Sequence, residues 1–192
     1  MRKLFFMALI SSVSLQIGLD AQQTGQNDSS SKPIMVGHPE GSKTIGETNP
    51  QNIQRTLSIL KPDTVRNRHI GEIINRLENQ GLHVAAIKMV KLNKEQAGQF
   101  YKVHKNQPYF SELVDFISSG PIVVMALEGD NAISKNREIM GSKNPDTAEE
   151  GTIRKAYASS ITENAVHGSD TPEAAKEEIL FFFQPNEINA SN

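Results

Sequence analysis

Behind Gly120-Pro121 stands a run of six apolar residues, Ile122-Val-Val-Met-Ala-Leu127. It is short enough for a buried strand, and the segments around it alternate between strand and helix periods. Arg55–Leu60 alternates as a strand, and Lys61-Pro62 ends it because proline cannot continue a central ladder. Ile70, Ile73, Ile74 and Leu77 recur at helical spacing over Ile70–Gln80, with Gly81 as the closing C′ residue. Leu82–Leu92 reads as a second strand with Val84, Ala86, Lys88 and Val90 on one face. Asn93 caps a helix from Lys94 to about His104, and Pro108 opens another from Tyr109 to Ile117.

After the apolar run, Asn131–Met140 is helical and stops at Gly141. Asn144–Thr152 reads as loop, Ile153–Ala158 as a short helix and Pro172–Glu178 as another helix. Ile179–Phe183 then reads as a last, aromatic strand. The implied fold is α+β. Its core is a ferredoxin-like βαββαβ antiparallel sheet with inserted helices. That architecture hosts many unrelated activities, so function has to come from the side chains.

The 192 residues carry a formal charge of −2 and no cysteine. The length suits one domain plus a tail. The charge gives no reason to expect nucleic-acid or membrane-surface binding. Disulfides and thiolate metal sites are excluded. At the N-terminus, Arg2 and Lys3 precede a mostly apolar stretch, Leu4–Leu19, too short and too polar for a stable membrane span. The pattern is that of an export signal over residues 1–21, with Leu19-Asp-Ala21 a poor cleavage site. Residues 22–51, rich in Gln, Ser, Gly, Asn and Pro, read as a disordered linker. Gly41-Ser-Lys-Thr44 is a chance likeness to a P-loop end, because Ser42 stands where the motif needs Gly. The folded domain is expected over 52–188, followed by a tail, 189–192. Export places the protein in a periplasm or outside the cell; the alternative is the cytoplasm.

The polar residues that look out of place form a set. In Asn164-Ala-Val-His-Gly-Ser-Asp170, glycine admits close approach, while Ser and Asp favour turns and helix N-caps. His167 is therefore expected on a tight loop feeding a helix that starts at Pro172. Lys61, at the end of the first strand, should point off the rim of the sheet. Arg137 lies late in a helix, Arg154 in the short helix after the loop, and Asn164 stands three residues before His167. Tyr101 and Tyr109 flank the two helices between the second and third strands. A phosphate-handling site needs these types: forked Arg donors, a mobile Lys charge, a neutral Asn for a sugar hydroxyl and an aromatic face for a base. Singly, each is an ordinary surface or packing residue; the reading rests on the group.

Arg55-Thr-Leu-Ser-Ile-Leu-Lys-Pro-Asp63, Phe100-Tyr101, Ser119-Gly-Pro-Ile-Val-Val124, Asn144-Pro145, Gly151-Thr-Ile-Arg154 and Asn164-Ala-Val-His-Gly-Ser-Asp170 together closely resemble nucleoside diphosphate kinase. The resemblance spans Gln54–Ile188. It implies transfer of the γ-phosphate of a nucleoside triphosphate such as ATP to a nucleoside diphosphate. The route implied is ping-pong through a phosphohistidine, with Mg²⁺ and little base specificity. It makes His167 the nucleophile, Glu178 its orienting carboxylate and Ser169 a support. Lys61, Arg137, Arg154 and Asn164 match phosphate and ribose contacts, and Tyr101, Tyr109, Leu113 and Ile161 the nucleotide's surroundings. It also implies a homo-oligomer, a hexamer or tetramer built on a common dimer. The chain departs from the family at Lys143, where a phosphate-holding Thr is usual, and at Tyr109, where Phe is usual. Lys143 alone favours a different reading, a nucleotide-binding module of the same fold with lost or weakened turnover. A regulatory ferredoxin-like domain would leave the grouped cations and histidine unexplained.

Overall fold

The computed structural model describes residues 53–190. The expected export signal, the whole of the expected linker and the end of the tail lie outside the described residues. Four strands form one antiparallel sheet in the order β2-β3-β1-β4: β1 (Ile53–Leu60), β2 (His83–Val90), β3 (Ile122–Asp130) and β4 (Val166–Gly168). The helices are α1 (Pro62–Arg66), α2 (Ile70–Asn79), α3 (Lys94–Phe100), α4 (Phe110–Ser118), α5 (Ala132–Met140), α6 (Ile153–Tyr157) and α7 (Pro172–Phe182). The β1-α2-β2-β3-α5-β4 path is the ferredoxin-like core expected from the sequence.

Helices cover both faces of the sheet. Leu60, Val123, Met125 and Leu127 pack with Ile73, Leu77, Ala132 and Met140 on the side of α2 and α5. Leu57, Ile59, Ile122, Val124 and Ala126 pack with Ala97, Val114, Ile117, Ile179 and Phe183 on the side of α3, α4 and α7. This is why Ile122–Leu127 is apolar without alternation: successive side chains enter opposite cores, and each is buried.

Four local expectations are corrected. The fourth strand is Val166–Gly168, and Ile179–Phe183 is not a strand. Most of that segment continues α7, because Ala175, Ile179 and Phe183 recur every four residues and bury together against the sheet. His167 consequently sits within a strand, opposite Ile59, rather than on a loop. In β2 the register shifts between Val84 and Ala86, so Val84 joins the α2/α5 core while Ala86 joins the other. A bulge adds a residue and flips the facing, which the period-two reading cannot detect. The helix expected to about His104 stops at Phe100, and Lys102–His104 forms a separate 3-10 turn. Helix α1, a single turn after Pro62, is too short to leave a periodic signal.

Two backbone details seat β4. Ala165 holds φ +67, in the left-handed region that costs a residue with Cβ about 1 kcal/mol. Its N–H donates to Asp63 Oδ2 at 2.9 Å, and its carbonyl accepts from Lys61 N at 2.9 Å and Thr64 Oγ1 at 2.8 Å, so α1 holds the strained residue in place. Gly168 lies against α5. A Cβ there would sit 2.5 Å from Asn136 Nδ2 and 2.6 Å from Met140 Sδ, both on buried side chains. Gly168→Ala is therefore expected to destabilise the fold by about 1–3 kcal/mol, the usual cost of overpacking. A thermal melt of the variant checks this; an unchanged midpoint would mean that α5 moves aside freely.

Candidate active site

The ends of β1, β4, α5 and α6 meet the turn after α3 and the start of α4 around a cavity of about 340 Å³. Lys61, Tyr101, His104, Tyr109, Leu113, Arg137, Lys143, Arg154, Ile161, His167 and Asp170 are among its lining residues. Of the side chains singled out in the sequence, only Glu178, Ser169 and Asn164 do not line it: Glu178 bonds to His167, Asn164 to Lys61, and Ser169 to Glu178.

Behind His167 the hydrogen bonds run in one direction. Leu57 N–H donates to Ser169 Oγ at 3.1 Å, and the serine hydroxyl donates to Glu178 Oε2 at 2.6 Å. His167 Nε2 lies 3.1 Å from the same carboxylate oxygen. A carboxylate only accepts, so Nε2 carries the proton and Nδ1 keeps the lone pair. Burial pushes the Glu178 carboxyl upward, but the bonds from His167 and Ser169 outweigh it and hold the group below its ordinary pKa. Glu178 is therefore ionised at neutral pH. Edge contacts from Phe100 and Tyr101, with ring centroids 5.4 and 5.8 Å from the imidazole, confine the ring from the side. Burial, then Glu178, keeps the Tyr101 phenol protonated by raising its pKa.

The cations are arranged by backbone carbonyls and one amide. Arg154, nearly buried, donates to the carbonyls of Asn164 (3.3 Å), Gly141 (2.8 Å) and Val166 (3.0 Å), which fixes its guanidinium beside β4. Burial and the neighbouring Arg137 lower its pKa to about 10, so it stays charged at neutral pH. The rim expectation for Lys61 fails in one respect: its side chain is buried, only 6% exposed. Its ammonium donates to Asn164 Oδ1 at 2.6 Å, and Asn164 Nδ2 donates to the Ile161 carbonyl at 2.8 Å. Burial, followed by the charges of Arg154 and Lys143, lowers the Lys61 pKa to about 8, while Asp63 opposes them. Arg137 pairs with Asp170 on the exposed side of the cavity. Lys143 is exposed and lines the cavity.

The sequence reading passed over His104, Glu112, Thr162 and Asp170, which also line the cavity. Asp170 lay inside the quoted motif without a role. His104 was absorbed into a helix that ends before it. Glu112 and Thr162 tie α4 to the loop before β4 through a 2.7 Å bond, across 50 residues. No local pattern announces such a contact. Among the described residues no group of three or more His, Asp or Glu side chains could hold a metal ion by itself. A divalent cation held here would take most of its ligands from phosphates and water. Among the described residues no helix is long and apolar enough to cross a membrane.

Comparison with known proteins agrees with this chemistry. The family model for nucleoside diphosphate kinase matches residues 54–188. The chain is 58% identical over 135 residues to nucleoside diphosphate kinase 1 of Protochlamydia amoebophila, a match covering 70% of this chain and 96% of that protein. It is 55% identical over 136 residues to the nucleoside diphosphate kinase of Nitratiruptor, covering 71% of this chain and 99% of that protein. Among solved structures, the Aquifex aeolicus enzyme superposes with a TM-score of 0.70 at 41% identity, over 71% of this chain and 99% of that one. The Halobacterium salinarum enzyme, solved in complex with CDP, gives 0.70 at 37% identity, over 72% and 93%. With a histidine held by a carboxylate, cations gathered around it and matches spanning nearly the whole length of these relatives, the chain belongs to the nucleoside diphosphate kinase family, enzymes that move the terminal phosphate of a nucleoside triphosphate to a nucleoside diphosphate.

Proposed function

We propose that the transfer runs through a phosphohistidine at His167. The supporting observation is the hydrogen bond from Nε2 to Glu178, which leaves Nδ1 as the nucleophile. In the first half-reaction the Nδ1 lone pair forms a bond to the γ-phosphorus while the bond from phosphorus to the β–γ bridging oxygen breaks. The electron pair leaves with the nucleoside diphosphate. Glu178 stabilises the positive charge that grows on the ring, and the Nε2 proton stays where it is. The second nucleoside diphosphate reverses the step. Lys61, Arg137 and Arg154 meet the charge on the transferring and leaving oxygens, and such a loose transition state asks for little else. Asn164 sets Lys61 from behind, with Oδ1 on the ammonium and Nδ2 on the Ile161 carbonyl. Tyr101 walls the nucleophile. Tyr109, Leu113 and Ile161 hold the base by stacking and apolar contact, which makes the site tolerant of base identity. Mg²⁺ bound to the phosphates would supply further charge neutralisation, and Asp170 and Glu112, the carboxylates lining the cavity, would be the side chains available to hold its water shell. Incubation with γ-labelled ATP should leave acid-labile label on His167; label elsewhere, or none, overturns the mechanism.

Lys143 lies in the same cavity and its charge acts on Lys61. A cation near a polyphosphate tightens the ground state and transition state alike, which lowers KM more than it raises kcat. Lys143→Thr should therefore raise the nucleotide KM by about two- to fivefold, the range for an exposed charge pair, with the difference shrinking in high salt. Steady-state kinetics at two ionic strengths test this. A large fall in kcat at constant KM would mean that Lys143 acts in the transition state.

The chain's assembly is proposed to be a homo-oligomer, a hexamer or tetramer. β2 is an outer strand of the sheet, and its Ile87 and Met89 are half exposed. An apolar outer strand is a template for pairing with a second copy. Export is proposed from Arg2, Lys3 and the Leu4–Leu19 run, with a mature start near Gln22. Mass determination of the N-terminus from fractionated cells tests it; an intact Met1 in the cytoplasmic fraction sinks it.

A further inference from the structure

We propose that His104 is a positioning residue for the base end of this site, holding the Tyr109 ring at a fixed tilt through the phenol hydroxyl. The inference rests on the reading of Tyr109 as the stacking ring. Tyr109 lies just before α4 and is 48% exposed, so about half of its surface is open. Its Oη lies 3.3 Å from His104 Nδ1, with ring centroids 5.9 Å apart and planes inclined by 50°.

His104 is itself well anchored. It ends the 3-10 turn, its N–H donates to the Tyr101 carbonyl at 2.8 Å, and its carbonyl accepts from Gln107 N at 2.8 Å. Its ring is half buried and stands 6.1 Å from that of Tyr101, which in turn abuts His167. A line of rings thus joins the nucleophile to the base platform. Burial lowers the His104 pKa below 6.5, the nearby Lys143 and His167 lower it further, and Glu178 opposes them. The imidazole is therefore neutral at physiological pH. Nδ1 then accepts from the phenol while Nε2 carries the proton. A phenylalanine in place of Tyr109 could stack but could not be held this way. An exposed ring already ordered before the nucleotide arrives gives up less rotational freedom on binding, and the gain falls on the base alone.

The test is calorimetric binding of ADP and of tripolyphosphate to the intact protein and to His104→Leu, Tyr109→Phe, their double variant, His104→Asn and Tyr109→Ala. A neutral hydrogen bond suggests a loss of about three- to fivefold in ADP affinity for His104→Leu and for Tyr109→Phe. The double variant should lose no more than either single, because both remove the same bond. Asn should restore part of the loss, since its Oδ1 can stand near the position of Nδ1. Tripolyphosphate, which has no base, should bind all of these variants as it binds the parent. Additive losses, or a matching loss of tripolyphosphate, would overturn the proposal and make His104 a structural or phosphate-end residue. If Tyr109→Ala weakens ADP while His104→Leu and Tyr109→Phe do not, stacking stands and the latch fails. If Tyr109→Ala leaves ADP binding intact, the stacking reading fails first and the latch falls with it.

Discussion

Replacing His167 with alanine is expected to lower phosphoryl transfer by at least about 10⁴-fold while nucleoside diphosphate binding stays within about threefold of the parent. The asymmetry comes from the site's construction. The nucleophile stands on β4, opposite Ile59, whereas the groups assigned to the phosphates belong to other elements. Lys61 and Arg154 are held by Asn164 and by backbone carbonyls, not by the imidazole. Truncation at 167 therefore removes the covalent step and leaves the cradle. Transfer assays with labelled triphosphate, alongside calorimetry with the diphosphate, separate the two effects. Substantial residual transfer would sink the phosphohistidine mechanism. Loss of diphosphate binding would show that the ring also sets the cradle.

The second large effect is expected at Lys61, where activity and stability should move in opposite directions. Lys61→Met should cut kcat/KM by about 10²–10³-fold, the usual cost of removing one preorganised donor from a phosphoryl-transfer site. The same change should stabilise the folded protein at neutral pH by about 1–3 kcal/mol. The sign follows from the lysine's pKa, lowered to about 8 by burial and by the Arg154 charge. Below pH 8 the ammonium is charged in both states, and the folded protein carries the full penalty of burying it. Between about pH 8 and the ordinary value of 10.5 the folded protein sheds the proton first, so stability rises with pH through that window. In the Met variant that rise should vanish. Nucleotide phosphates reverse the local balance, so binding near pH 8 should also take up about half a proton in the parent and none at this position in the variant. Melting curves from pH 7 to 10 and calorimetry in buffers of different ionisation heat test these points. A Met variant less stable at pH 7 would mean that the 2.6 Å bond to Asn164 outweighs the burial cost.

Local order alone was enough for much of this molecule. The β1 motif, the unbroken apolar β3, α2 between Ile70 and Gly81, the Asn93 capping box and Pro172 at the start of α7 each write their structure within a dozen residues. The motif around His167 carries the family resemblance; Lys61, Arg137, Arg154, Asn164, Tyr101 and Tyr109 form a set by residue type alone, whereas Glu178 and Ser169 join it only through that resemblance. Tertiary structure decided the rest. A strand of three residues such as β4 has no period to read; it exists because β1, about a hundred residues earlier, offers it a ladder and α1 holds Ala165 at positive φ. With that edge filled, the aromatic run at Ile179–Phe183 buries as a helix face instead. The bulge at Ala85, the depth of Lys61, the Nε2–Glu178 bond that turns Nδ1 toward the cavity and the His104–Tyr109 contact are likewise products of packing. Sequence order fixes which groups are available and how each short segment prefers to bend. Only the close approach of distant segments, with its desolvation and hydrogen bonding, decides which lone pair is left facing the cavity.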